Sequence, residues 1–202
     1  VPRPSKKEEK MIVYLKAFGA KHNLETKVDE AGNVLIKKPA TPGKENLQTV
    51  VLQSHIDMVC EKNNDVQHDF LTDPIETEID GEWLKAKGTT LGADNGIGVA
   101  TELAILADDS IEHGPLECLF TVDEETGLTG AFALQEGFMS GDILLNLDSE
   151  DEGEIFIGCA GGIDTVIRLP YRKMVLPAHK FAVQVKVKGL QGGHSGDDIN
   201  KG

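Results

Sequence analysis

Four short stretches of the sequence carry groups that can bind metal ions or move protons. They are SHID, GADNG, VDEETG and NLDSED, with His55, Asp57, Asp94, Asp123, Glu124, Glu125 and Asp148. An imidazole and several carboxylates supply the nitrogen and oxygen ligands that divalent ions such as zinc accept. A carboxylate can also act as a general base. Crowding acids at the end of an apolar segment is costly, and bound cations would offset their repulsion.

Each stretch also has an ordinary explanation. His55 and Asp57 are two residues apart, so on a strand they share one face, where the carboxylate can orient the imidazole. Asp94 precedes a glycine-rich helical turn, where an aspartate is most often the N-cap. The acids at 123–125 fit a solvated turn, and Asp148 fits an acidic loop. The four stretches together are more informative than any one of them. One imidazole with several carboxylates does not match the Cys-rich ligand set of a structural zinc site.

Three apolar segments deliver these groups, which indicates buried strands: TVVLQSH, PLECLFTV and DILLNL. Between the first two, GADNGIGVATELAILADD predicts a helix. Its spacing places Ile97, Ala100, Leu103, Ala104 and Ala107 toward the core. Strands that alternate with helices predict an α/β fold with much of its sheet buried. Ligands of such sheets bind at the carboxyl edge, so we expect the acids to converge there.

The remaining elements follow from pattern. Residues 4–23 predict an amphipathic helix with Ser5 as N-cap and Glu8 three residues later, as in a capping box. Residues 24–39 predict two strands around a turn, and 82–87 predict another strand. A short helix should end at Gly137. Farther on, DTVIRLPY and KFAVQVKVKGL alternate as strands with one wet face do. We expect one domain over residues 1–176 and a second beginning at 177–202.

Composition narrows the function classes. The sequence has 34 acidic and 20 basic residues and a net charge of -14, which argues against a nucleic-acid partner. It has no apolar stretch of the roughly 18–20 residues that span a bilayer, so we expect no membrane partner. Cys60, Cys118 and Cys159 show no CxxC spacing, which fits the cytoplasm. The sequence begins at Val1 without a methionine and stops at Gly202, and we expect both ends to be cut.

Five motifs in this order, SHIDMV, GADNGIGVA, TVDEETGLTGA, LDSEDEGE and GGHSGDDI, resemble the M20 family of metallopeptidases, and its aminoacyl-histidine dipeptidases above all. The resemblance implies a catalytic domain with a mixed sheet flanked by helices, followed by the start of an α+β lid domain. It implies hydrolysis of dipeptides, Xaa-His and others, by a metal-activated water in a cytoplasmic homodimer. Two divalent metal ions are implied, zinc or alternatively manganese or cobalt.

The resemblance also assigns roles residue by residue. It makes the metal ligands His55, Asp94, Glu125 and Asp148, with Asp94 between the two ions, and it implies a cis peptide bond after Asp94. Glu124 becomes the general base, and Asp57 orients the His55 imidazole. His194, in GGHSG, is placed at the substrate.

One ligand expected from the family is a histidine beyond residue 202, so we expect residues 1–202 alone to be inactive. Two other functions stay open at this point. One is an M20-type amidohydrolase that deacylates N-acyl amino acids, since the site motifs are nearly common to both. The other is a non-catalytic divalent-cation binder built on DSEDEGE, although this loop lacks the regular spacing of a calcium hand.

Overall fold

The fold was analysed in a computed structural model, which describes residues 1–149, 153–158 and 165–189. Its helices and strands, in chain order, are α1 Glu9–Lys21, β1 Glu25–Val28, β2 Val34–Lys38, β3 Val50–His55, β4 Thr77–Asp80, β5 Trp83–Ala86, α2 Ala93–Ala107, β6 Leu116–Thr121, α3 Thr129–Ala133 and β7 Ile143–Asn146. The three strands predicted from apolar segments are therefore present, but only β3 and β6 are largely buried as expected, whereas all four residues of β7 are exposed. The hairpin partner β4 was not foreseen.

Five strands form one mixed sheet in the order β1-β2-β6-β3-β7. The pairs β1–β2 and β2–β6 are antiparallel, whereas β3 is parallel to both β6 and β7. The strands β4 and β5 form a separate antiparallel hairpin. The predicted α/β class with a mixed sheet is confirmed. The parallel strands β6, β3 and β7 end at one edge, which is the edge that carries the acids.

Both faces of the sheet are covered. On one face, α1 and α2 pack through Met11, Leu15, Val99 and Leu106 onto a core that includes Phe120. The opposite face carries a smaller cluster, in which Leu35, Val51 and Leu119 contact Leu134, Phe138 and Met139. Alternate residues of β2 and β6 thus point to different clusters, as the period of a strand requires. This double coverage explains why the central strands are almost continuously apolar.

Two details of the helices differ from the sequence prediction. Helix α1 begins at Glu9, and Ser5 lies outside it, where its hydroxyl donates a hydrogen bond to Asp57 instead of capping the helix. Helix α2 turns a different face to the core than predicted: its buried residues are Asn95, Gly98, Val99, Glu102 and Leu106. Ile97 is 67% exposed. The prediction missed this face because three of its five members are polar or lack a side chain.

The chain divides into two compact units, Val1–Glu154 and Ile155–Gly202. All the named helices and strands belong to the first unit. In the second, none of the described residues 165–189 lies in a strand, so the two strands expected there are not found. Strands require a neighbour for their backbone hydrogen bonds, which the alternation of side chains does not supply. A lid domain beginning at residue 177 stays a prediction.

Candidate metal centre

The register of the parallel strands determines which residues meet at the carboxyl edge. His55 at the end of β3 pairs with Thr121 of β6, and Gln53 pairs with Asn146 of β7. Two residues past the strand ends, Asp57 lies beside Asp123, and past β7 Asp148 lies beside His55. The spacing of motifs along the sequence is thereby converted into proximity at one edge.

His55 lies at the centre of this group, with a side chain that is only 1% exposed. Its Nδ1 lies 3.2 Å from Oδ1 of Asp57. Its Nε2 lies 3.0 Å from Oδ1 of Asp94, 3.8 Å from Oδ1 of Asp148 and 4.0 Å from Oε2 of Glu124. Burial acts to lower the pKa of His55, but the hydrogen bonds to Asp57 and Asp94 and the charge of Asp148 raise it to about 9.

Asp57 is the anchor behind the imidazole. It is fully buried, and it accepts hydrogen bonds from Ser5 Oγ at 2.7 Å and from the backbone N–H groups of Glu124 at 3.0 Å and Glu125 at 3.2 Å. Burial acts to raise the pKa of Asp57, yet these donors and His55 lower it to about 2. Asp57 therefore stays ionised, fixes the orientation of His55 and ties the acidic loop after β6 to the end of β3.

Asp94 comes to the site from the start of α2. The peptide bond between Asp94 and Asn95 is cis, as the resemblance implies. Asp94 has non-helical backbone angles and makes no capping hydrogen bond. Instead, Oδ1 of Asn95 accepts the N–H of Gly98 at 3.1 Å. The alternative reading of Asp94 as the helix cap is thus wrong: the backbone angles of both Asp94 and Asn95 are non-helical, the Asn95 side chain accepts the N–H of the first regular turn, and the Asp94 carboxylate faces His55.

The remaining carboxylates of the site are shifted toward the neutral form. Burial raises the pKa of Glu124 and of Glu125, and the negative charge of Asp94 adds to both shifts. For Asp148, burial and the charges of Asp94 and Glu124 outweigh the attraction of His55, and the pKa rises to about 6. Such shifts mark a site in which negative charge is crowded without enough positive charge nearby.

The donor set fits divalent metal ions. His55, Asp94 and Asp148 offer ligand atoms that lie within 4.8 Å of one another, and so do His55, Glu124 and Glu125. Among the described residues, His55 is the only basic side chain that ion-pairs with these carboxylates. One nitrogen and several oxygen ligands, partly open to solvent, suit a site that keeps positions free for water and substrate.

The structure brings together the sequence-predicted residues His55, Asp57, Asp94, Glu124, Glu125 and Asp148. His194 lies outside the described residues. Two residues next to the site are not predicted from the sequence: Arg3, which donates hydrogen bonds to the backbone at Ile56 and Gly92, and Glu8, whose carboxylate accepts the N–H of Asp123. No local pattern could have found these two, because their partners are more than 50 positions away in the chain.

Comparisons with known proteins agree with this geometry. The family model described as Peptidase family M20/M25/M40 matches residues 51–186. The sequence is 52% identical over 202 residues to the cytosol non-specific dipeptidase of Escherichia coli (strain K12). This alignment covers 100% of this chain and 42% of that protein. The chain thus spans less than half the length of this relative.

Solved structures share the fold. The aminoacylhistidine dipeptidase from Vibrio alginolyticus has a TM-score of 0.74 and 59% identity, over 76% of this chain and 31% of that one. The aminopeptidase PepT from Bacillus cereus ATCC 10987 has a TM-score of 0.63 and 27% identity, over 75% of this chain and 40% of that one.

Proposed function

The chain belongs to peptidase family M20/M25/M40, and from that premise we propose that it forms part of a metal-dependent dipeptidase. The observation that carries the proposal is the position of His55: its Nε2 faces carboxylate oxygens of Asp94, Asp148 and Glu124 at 3.0, 3.8 and 4.0 Å. Divalent ions bound in such a site polarise a carbonyl group and make water more acidic.

We assign the metal-ligating residues to two groups. His55 and Asp148 would hold one ion, Glu125 would hold the other, and Asp94 would serve both. The short distances from His55 Nε2 to Asp94 and Asp148 support the first group. The second rests on Glu125 lying within 4.8 Å of His55 and Glu124 ligand atoms, and on the family resemblance. Zinc is our first choice, with manganese and cobalt as alternatives.

Glu124 is proposed as the general base. It takes a proton from the attacking water and later gives it to the nitrogen of the leaving amine, so that no net proton is consumed. Its raised pKa, caused first by burial, suits a group that must both accept and release a proton. The backbone N–H of Glu124 bonds to Asp57, which also holds His55, so one buried carboxylate positions the base and the metal-ligating imidazole together.

The relatives indicate the substrate class. The Escherichia coli relative is named for a non-specific dipeptidase and the Vibrio alginolyticus relative for aminoacylhistidine, so we propose dipeptides, including Xaa-His, as substrates. By the same likeness we propose a cytoplasmic location and a homodimer in which His194 contacts the substrate. Within the described residues, no helix has the length and apolarity that crossing a membrane requires. Residues 1–176 are proposed as the catalytic domain and 177–202 as the start of a lid.

Metal analysis combined with a substrate screen tests the proposal. The full-length protein that contains this sequence should bind two zinc or manganese ions per chain and hydrolyse Xaa-His dipeptides faster than N-acyl amino acids. Faster turnover of N-acyl amino acids would instead identify a deacylase. Stoichiometric binding without hydrolysis of either class would identify a non-catalytic cation binder, and the absence of tightly bound divalent ions would rule out the metal site.

A matched pair of histidine variants locates the metal site. His55→Ala should lose at least one ion and nearly all turnover, because it removes the only nitrogen ligand assigned here. His179→Ala changes an exposed histidine of the second unit and should retain both ions. Equal metal content in the two variants would contradict the assignment of His55.

A further inference from the structure

The N-terminal segment lies directly behind the candidate metal centre. Pro4 forms a parallel bridge with Met58, and the N–H of Met58 donates to the carbonyl oxygen of Arg3 at 3.2 Å. Residues 3–5 thereby run alongside the three residues that follow β3. Ser5 in this segment donates to Asp57. The segment is thus attached to the chain that carries His55 and Asp57, although about 50 residues separate them in sequence.

The side chain of Arg3 joins this chain to the start of α2. Its Nη1 donates to the carbonyl oxygens of Ile56 at 3.0 Å and Asp57 at 2.9 Å, and its Nη2 donates to the carbonyl oxygen of Gly92 at 2.5 Å. The Gly92 oxygen also accepts the N–H of Gly96 at 3.1 Å. One guanidinium group therefore binds the backbone next to His55 and the backbone two residues before Asp94.

Two glycines of the GADNG motif make room for this guanidinium. A Cβ atom at Gly92 would lie 2.7 Å from Arg3 Nη2 and 2.8 Å from Met58 Sδ, and one at Gly96 would lie 2.9 Å from Arg3 Nη2. Gly92 also has a φ of +70°, which side chains rarely adopt. The glycines on either side of Asp94 are thus explained by the arginine packed against them.

Only an arginine can make this connection. The guanidinium is a rigid fork of N–H donors, whereas a lysine presents one ammonium group on a flexible stem. The fork reaches three carbonyl oxygens on two segments at once. Its charge also lies close enough to Asp57, Asp94 and Glu125 to attract all three. Arg3 thus attracts these carboxylates while its N–H groups are hydrogen-bonded to backbone carbonyl oxygens.

We propose that Arg3 is a positioning residue that sets the separation of His55 and Asp94 and thereby the affinity of the site for divalent ions. Its affinity role rests on the proposed function, because it concerns the metals of the same site. The connection through Ile56, Asp57 and Gly92 carbonyls is independent of metal. Arg3 touches none of the proposed ligand atoms, so its effect must pass through the backbone.

Zinc affinity in the full-length protein tests the proposal, measured by competition with a chromogenic chelator. Arg3→Gln should weaken zinc binding at least tenfold, because the fork that joins the two backbone segments is lost; the loss of its positive charge alone would favour a bound cation, so a weaker affinity reports the lost connection. Arg3→Lys should fall between Arg3→Gln and the wild type, because a single ammonium group keeps only part of the hydrogen bonds to the carbonyl oxygens. Lys16→Gln removes an equal charge from the exposed face of α1 and should bind zinc as the wild type does.

Two further variants separate positioning from general destabilisation. Leu15→Ala opens the core beneath α1, so it should lower the melting temperature while zinc affinity is retained. Gly96→Ala should push the guanidinium away and weaken zinc binding, and this effect should vanish when Arg3 is already glutamine. Zinc affinity of Arg3→Gln within threefold of the wild type, or fully additive effects of the Arg3 and Gly96 changes, would overturn the proposal.

Hydrogen exchange distinguishes failure of this proposal from failure of the proposed function. In metal-free protein, Arg3→Gln should speed exchange of the Gly96 N–H and its neighbours relative to Lys16→Gln, because Gly92 loses one of its two partners. A wild type that binds no zinc would refute the proposed function, and faster exchange in Arg3→Gln would still support the backbone connection. Unchanged exchange would overturn that connection whatever the metal result.

Discussion

Two acidic clusters lie side by side at the same edge of the sheet, and they differ in how their charge is satisfied. The closed cluster is Glu8, Asp57 and Asp123, whose ligand atoms lie within 4.8 Å of one another and whose side chains are all buried. The open cluster surrounds His55 and consists of Asp94, Glu124, Glu125 and Asp148. Both have the ligand chemistry of a metal site.

Protein donors reach each carboxylate of the closed cluster. Glu8 accepts the N–H groups of Lys6 and Asp123, and Asp123 accepts the hydroxyls of Thr126 and Thr129. Asp57 accepts two backbone N–H groups, a hydroxyl and the His55 ring. These bonds satisfy buried carboxylates without any cation. The closed cluster is thus a structural clamp that fastens the acidic loop to α1 and β3.

The open cluster lacks such donors. Within the described part of the chain, the only hydrogen bond from a protein donor to its four carboxylates is the one from His55 Nε2 to Asp94. The consequence appears in the two acids that flank His55: the pKa of Asp57 falls to about 2, while that of Asp148 rises to about 6. Glu8 is an exception within the closed cluster, because burial raises its pKa despite its donors. Carboxylates left without protein donors at a solvent-accessible edge are the ones available to a metal ion. Hydrogen-bond donors, rather than the number of acids, distinguish the two clusters.

The largest expected effect lies in the open cluster. In the proposed two-metal dipeptidase, Glu124→Gln should retain both ions and lose turnover by about 10²–10⁴-fold, because the proton carrier is removed while the shape is kept. Glu125→Gln should instead weaken the binding of one ion. Metal content and kcat, measured on both variants, check the assignment. If Glu124→Gln loses metal and Glu125→Gln retains it, the two roles are exchanged.

Asp57 belongs to the closed cluster but contacts His55, which the open cluster surrounds. Changing Asp57 therefore tests whether the closed cluster influences metal binding in the open one. Asp57→Asn leaves one acceptor oxygen where two now serve His55, Ser5 and two N–H groups. Zinc affinity should fall about 10–100-fold, which is typical when the partner of a metal-ligating histidine is changed. Calorimetric titration with zinc provides the measurement. An unchanged affinity would show that the imidazole is oriented without Asp57.

Glu8 should affect folding and not metal. Glu8→Ala leaves the buried N–H of Asp123 without its acceptor, so the free energy of unfolding should fall by about 1–3 kcal/mol. Glu8→Gln keeps an acceptor oxygen and should cost much less. Urea unfolding of metal-free protein gives the first quantity, and zinc affinity should stay within threefold of the wild type in both variants. A large loss of zinc affinity would mean that the closed cluster takes part in metal binding.

The gathering of acids at one edge of the sheet could be anticipated from the sequence, but the hydrogen-bond donors that distinguish the two clusters could not. The apolar runs before His55, Asp123 and Asp148 predicted buried strands, and their ends correctly indicated one acidic edge. Which acids receive hydrogen bonds depends on residues such as Glu8, which is 115 positions from its partner Asp123. The β4–β5 hairpin was only half predicted because its strands, four residues each, are largely exposed and show no clear alternation.

The capping and helix-face errors have one cause. Ser5 and Glu8 match a capping box in sequence, but tertiary partners at Asp57 and Asp123 compete for their side chains and win. In α2, Glu102 was not among the residues predicted to face the core, because it is charged, whereas it is fully buried. A prediction from local sequence assumes that polar side chains face solvent or bond to their own helix. Ser5 and Glu8 instead bond to residues distant in the sequence, and Glu102 faces the core.

Glu102 sharpens the comparison, because it is an acid with neither strong donors nor a cation. Its carboxyl group is buried beside Ser54 and Cys118, and burial raises its pKa well above the ordinary value. A carboxyl whose pKa is raised on folding binds its proton more tightly in the native state.

Above the unfolded pKa of Glu102, near 4.5, the stability of the wild type should therefore fall as pH rises, by at most about 1.4 kcal/mol per pH unit from this group. Glu102→Gln cannot ionise, so its stability relative to the wild type should increase steadily from pH 5 to pH 8. Urea unfolding at each pH gives the difference, in which the contributions of other groups cancel. Glu9→Gln changes an exposed glutamate of α1 and should follow the wild type throughout. Parallel curves for Glu102→Gln and the wild type would show that Glu102 ionises freely in the folded protein, and the lack of donors would then not decide the state of an acid.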